Sequence, residues 1–173
     1  MNDIMKSVCS LLVSFCIGFV LGQGILMHYE SKTFKPWGWK EAPVVMNCYG
    51  EELNILYIQD ALNFWNLKGH TVAFVEQNPP AHLCKKDFIA GFIILKKTRR
   101  GELNSGTLAV TFRKRDGIYL SAATIKIKSG CYRLSNLLEH EFGHAFGYTH
   151  AKYEGHIMHP DYNKIGTKFW IPD

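Results

Sequence analysis

Apolar and polar positions divide this chain into an apolar lead and a patterned body. Val8 to Met27 is broken only by Ser10, Ser14 and Gln23, and no Asp, Glu, Lys or Arg lies between Ser7 and His28. A run of roughly twenty such residues suits a helix across a bilayer. Residues 1–30 are therefore expected to be a signal peptide or an N-terminal membrane anchor, with Lys6 as a minimal basic flank. Residues 31–41 read as a linker and residues 42–173 as the folded domain. The lead implies an exported protein, secreted or held to a membrane through residues 8–27 with its domain outside the cytoplasm.

The body alternates strand-like and helix-like patterns. Val44 to Cys48 reads as a strand stopped by Gly50. Glu52 to Leu67 reads as a helix, with Leu53, Leu56, Tyr57, Ala61, Phe64 and Trp65 opposite a polar stripe of Gln59, Asp60, Asn63 and Asn66. Thr71 to Val75 is a second strand. Phe88 to Lys96 is a third, and its continuous apolar centre predicts burial on both faces. Thr107 to Arg113 alternates with Leu108, Val110 and Phe112 on one face, Asp116-Gly117 supplies a turn, and Tyr119 to Lys128 runs back. The last two strands are thus antiparallel neighbours, and the strand–helix–strand order before them predicts parallel pairing. An α+β fold follows, a mixed sheet with helices packed against it.

Composition narrows the picture. The 173 residues are 47% hydrophobic and 20% charged, which supports one packed domain and excludes a mostly disordered chain. A net charge of +5 is modest. Lys96, Lys97, Arg99, Arg100, Arg113, Lys114 and Arg115 gather on the rim of the sheet, but without interleaved aromatics or a phosphate-binding glycine loop no nucleic-acid partner is expected. Cys48, Cys84 and Cys131 lie in the body; they allow one bridge and one free thiol, with the pair left open.

Histidine carries the chemistry. Five of the eight histidines fall between His140 and His159. His140 and His144 are four apart, so on a helix their rings converge on one face. Glu141 sits beside that face, where a carboxylate polarises a metal-bound water rather than ligating. Gly147 permits a sharp helix end, because glycine reaches positive φ cheaply, and that turn brings His150 back as a third ligand. Three protein ligands leave a position open, as in catalytic zinc sites. His156 and His159 are expected at the surface or lining the cleft, not on the metal.

His140-Glu-Phe-Gly-His144-Ala-Phe-Gly147-Tyr-Thr-His150, followed by Gly155-His-Ile-Met158-His-Pro160-Asp-Tyr162, resembles the matrixin-type metzincin metalloproteases. Ile58 to Trp65, Val72 to Glu76 and Ser105 to Phe112 resemble that family's first helix, the strand after it and its antiparallel edge strand. The resemblance implies a twisted five-stranded mixed sheet, two to three helices, and one catalytic Zn2+ in a cleft below the edge strand. It assigns Met158 to a Met-turn beneath the metal. It also implies that Thr107, Leu108, Ala109 and Val110 pair with extended substrate, that Pro160 and Tyr162 wall the pocket after the scissile bond, and that Asn136 shapes its floor. The family's structural-zinc and calcium loops have no counterpart between Lys96 and Ser105, so neither ion is expected.

The expected activity is that of a metalloendopeptidase, acting as a monomer on polypeptide, with Glu141 as general base and acid. Two alternatives share these residues: a hydrolase of peptidoglycan cross-links, and a non-catalytic zinc-binding surface module.

Overall fold

The computed structural model describes residues 38–171, and the elements below belong to one unit, Pro36–Trp170. Five strands make a mixed sheet: β1 (Val44–Cys48), β2 (Val75–Glu76), β3 (Phe92–Lys97), β4 (Ala109–Asp116) and β5 (Tyr119–Ile127). Their order is β2-β1-β3-β5-β4. All neighbours are parallel except β4 and β5, which pair antiparallel and leave β4 on the edge. Three helices accompany the sheet: α1 (Ile55–Asn66), the single-turn α2 (Ala81–Cys84) and α3 (Leu137–Ala145). The fold is α+β with an antiparallel edge pair.

β3 occupies the centre, and its unbroken apolar run has a use on each face. Ile93, Ile94 and Leu95 are fully buried. Ile93 and Leu95 join Val45 and Ile125 in the core under the helices. Ile94 points the other way, in register with Met46 and Thr124. There the Thr124 hydroxyl donates to the carbonyl of Asp87, so the chain before β3 crosses that face. Phe88 belongs to this crossing, and β3 begins at Phe92.

α1 buries Ile58, Ala61, Leu62 and Trp65, an i, i+3, i+4, i+7 stripe. Leu56 and Tyr57, expected on that side, are exposed at 64% and 39%. The helix starts at Ile55 because the Asn54 side chain accepts the Leu56 N–H and caps it. Against α1 lies α3, burying Leu137, Leu138, Phe142 and Ala145. The two helices are tied by Trp65, whose indole N–H donates to the Glu139 carbonyl at 2.6 Å.

Other boundaries shift for local reasons. The second strand contracts to Val75 and Glu76, the two residues that find register against Val45 and Met46. Phe74 before it is 56% exposed. β4 starts at Ala109 and continues to Asp116, with an irregularity between Lys114 and Arg115. Of the expected linker, Trp39 bridges Leu120 and its indole N–H donates to the Ala145 carbonyl at 2.9 Å, so this residue packs on the domain. Cys48 and Cys84 form the disulfide, joining β1 to α2 and leaving Cys131 free.

The described residues do not support the membrane reading. No helix among the described residues is long and apolar enough to cross a membrane. The longest of them, α1 with 12 residues, covers about 18 Å against a hydrocarbon core of about 30 Å. Residues 8–27, on which the anchor, the signal peptide and the exported location were expected, lie outside the described residues.

Candidate metal centre

α3 presents the centre of the site. Its exit is set by Gly147, whose φ of 107° lets the chain leave the helix sharply after Phe146. The loop then returns His150 to the two helical histidines. His140, His144 and His150 each offer a ring nitrogen, and these atoms lie within 4.8 Å of one another. The Nε2 atom of His144 is 3.1 Å from that of His140 and 3.1 Å from that of His150.

The opposite ring nitrogens decide the protonation. His140 Nδ1 lies 2.8 Å from the Ile157 carbonyl and His144 Nδ1 lies 2.8 Å from the Tyr148 carbonyl. A carbonyl only accepts, so both Nδ1 atoms carry hydrogen and both Nε2 atoms present lone pairs. Burial pushes His140 down to about 4 and His144 to about 3, each further opposed by the neighbouring imidazoles, and His150 is lowered by the same causes. These rings are neutral at pH 7, the form that binds a metal. Lone pairs at 3.1 Å repel unless a cation stands between them. Tetrahedral Zn–N bonds of about 2.05 Å would hold nitrogens about 3.3 Å apart. The donor set fits one ion, and the gradient from buried His140 to exposed His150 opens it toward solvent.

Glu141 is 4% exposed. Its carboxylate accepts a hydrogen bond from Thr111 of β4 at 2.5 Å. Burial raises it to about 7, with the Thr111 bond working in the opposite direction.

Met158 lies beneath the helix, 1% exposed. Its carbonyl accepts from Ala151 N–H at 2.9 Å, which staples this turn to the loop after His150. His156 and His159, expected at the surface or in the cleft, are buried at 2% and 8%. His156 Nδ1 accepts the Met158 N–H at 3.0 Å, so its Nε2–H donates to the Trp170 carbonyl at 2.9 Å. His159 Nδ1 accepts the Asp161 N–H at 3.0 Å. Both pin the chain around Met158 through these bonds, since a buried polar nitrogen without a partner loses its hydration uncompensated.

A cleft of about 530 Å³ runs between α3 and β4. Thr107, Leu108, Ala109, Val110, Pro160 and Tyr162 all line it, together with His140, Glu141, His144 and His150. Asn136 does not: it takes φ 62° at the N-cap of α3, and the next residue, Leu137, faces the cleft instead.

Thr111 and Arg113 were missed in the sequence, where Leu108, Val110 and Phe112 marked one face of β4 and the opposite face drew no role. Phe112 is 46% exposed with Lys126 over its ring. The odd-numbered face meets α3, where Thr111 reaches Glu141 and Arg113 Nη1 donates to the carbonyls of His144 and Tyr148 at 3.1 and 3.3 Å. The polar half of the alternation was the available signal, since a strand roofing a wet cleft turns its polar side to the chemistry. Neither the models of known protein families nor the curated proteins compared with this chain match it, so the geometry of the site alone carries a functional reading.

Proposed function

We propose that this protein is a zinc-dependent endopeptidase, a matrixin-like metzincin in its site chemistry. One observation carries the reading: a buried carboxylate, held by Thr111, stands on α3 between His140 and His144, beside three converging neutral imidazoles. A purely structural zinc site has no use for that carboxylate, which costs free energy to bury. Zinc held by His140, His144 and His150 would supply Lewis acidity, lowering the pKa of the attacking water and polarising the scissile carbonyl.

The chain's own groups do the rest. Glu141 takes a proton from the water and returns it to the leaving amine, a task suited to a carboxyl raised to about 7. Thr111 holds that carboxylate toward the cleft. Among the described residues the outer side of β4 has no strand beside it, so an extended peptide adds there by backbone hydrogen bonds. Pro160 and Tyr162 wall the opposite side.

The test is cleavage of casein, and separately of purified peptidoglycan, by the zinc-loaded chain. Proteolysis of casein is expected, with one zinc per chain in the wild type and none in His144→Ala. Glu141→Gln should keep its zinc and lose at least about a thousandfold in kcat/KM. Undiminished turnover by Glu141→Gln would overturn the mechanism, and release of peptidoglycan fragments without casein cleavage would move the substrate to cell-wall peptides.

A further inference from the structure

Resting on the proposed peptidase activity, we infer that Arg113 is a specificity subsite: the cleft takes peptides carrying an Asp or Glu about two residues from the scissile bond, on the side that meets the end of α3.

Among the described residues that line the cleft, Arg113 is the one lysine or arginine and Glu141 the one carboxylate. Arg113 follows Thr111 by two positions on β4 and shares its face, so it stands about 7 Å further along the strand. An extended peptide has the same repeat, which puts the guanidinium opposite a side chain about two residues from the bond attacked at Glu141.

The group is held in place rather than waving in solvent. Nη1 is occupied by the carbonyls of His144 and Tyr148. A planar guanidinium fixed by one nitrogen still presents donors with a set direction, which suits a carboxylate.

No carboxylate among the described residues pairs with Arg113. Ion pairs among the described residues join Lys96 to Asp87, Lys97 to Glu52 and Lys126 to Glu102, and none reaches Arg113. The side chain is exposed, where an incoming peptide can reach it. The helix-end carbonyls occupy Nη1, and this cleft-lining cation has no carboxylate counter-charge among the described residues. A carboxylate on the substrate supplies one.

The experiment uses the zinc-loaded full chain and short alanine–leucine peptides in which each position bears Glu, Gln or Lys in turn. At one position the wild type should cleave the Glu peptide about tenfold faster in kcat/KM than its Gln isostere. Arg113→Met should bring that ratio to about one, Arg113→Lys should keep part of it, and Arg113→Glu should turn the preference to Lys. A ratio, unlike absolute rate, is insensitive to partial loss of folded protein. Cleavage with no preference for Glu, or a preference unmoved by Arg113→Met, overturns the subsite and leaves the peptidase reading intact. Failure to cleave any peptide overturns the peptidase reading. In that case, equal binding of fluorescein-labelled Glu and Gln peptides by the wild type, measured by polarisation, overturns the subsite as well.

Discussion

Thr111 Oγ1 lies 2.5 Å from Glu141 Oε2, a bond between residues 30 positions apart that joins the edge strand to the helix carrying the histidines. The same hydroxyl is 3.2 Å from the Glu141 carbonyl, a second acceptor for its one proton. Without that bond a buried carboxylate is free to turn away from the cleft.

Removing the hydroxyl tests the positioning. Hydrogen bonds to charged groups contribute about 1.5–3 kcal/mol, so Thr111→Val should lower kcat by about ten- to a hundredfold. Thr111→Ser keeps the donor and should recover most of the loss. A Val variant as fast as wild type beside a slower Ser variant in steady-state assays would mean that the methyl group, not the bond, matters.

Gly143 sits where α3 presses on the layer below. A methyl group built there falls inside the Sδ of Met158 and 2.5 Å from Cζ2 of Trp65. Met158 could flex, but Trp65 is fully buried and tied to Glu139, so the strain has no outlet. Gly143→Ala should cost about 1–3 kcal/mol in urea denaturation despite its better helix propensity. A stability equal to wild type would show that the helix can shift, and zinc affinity would then reveal whether the histidines shift with it.

His70 predicts a pH dependence of stability. Its Nε2 lies 2.7 Å from Tyr148 Oη and its ring stacks on Phe146 at 4.9 Å. Burial lowers its pKa below the ordinary 6.5. Folded protein therefore binds fewer protons than unfolded protein just below that value. The stabilisation is complete above pH of about 6.5 and is lost as pH falls toward the depressed folded pKa. Thermal midpoints should fall between about pH 7 and about pH 5, and fall less in His70→Phe, which keeps the stacking without the titration. Parallel curves for the two proteins would remove His70 as a contributor.

The Cys48–Cys84 bridge closes a separation of 36 residues. In the chain-entropy view a loop of that size stabilises by about 3–4 kcal/mol. Replacing both residues with serine should lower the denaturant midpoint accordingly, with the cleft geometry retained because β3 and β5 lie between β1 and β4. A loss under about 1 kcal/mol would place the stabilising contacts of α2 elsewhere.

How much of this was legible in the sequence follows the range of the interactions. β1 was readable to the residue, since Val44 to Cys48 sits inside the sheet and its pattern answers to burial alone. The start of α1 was misplaced because a single side-chain cap from Asn54 outweighs the propensity of the residues before Ile55. β2 shrank because an edge strand with one neighbour forms only where register allows.

The amino-acid order by itself determined the convergence of His140 and His144, since helical period places residues four apart on one face. It also determined the return of His150, since a glycine at the helix end permits one sharp turn. Only the tertiary structure decided the partners of those groups. Which face of β4 meets α3, that Thr111 rather than Phe112 reaches Glu141, that Arg113 enters the cleft, and that His156 and His159 are buried pins all depend on strand order and layer packing. Local periodicity says that a strand has two faces. What each face touches depends on elements 30 residues away, brought close by the parallel pairing of β3 with β5 and the return of β4 along the edge.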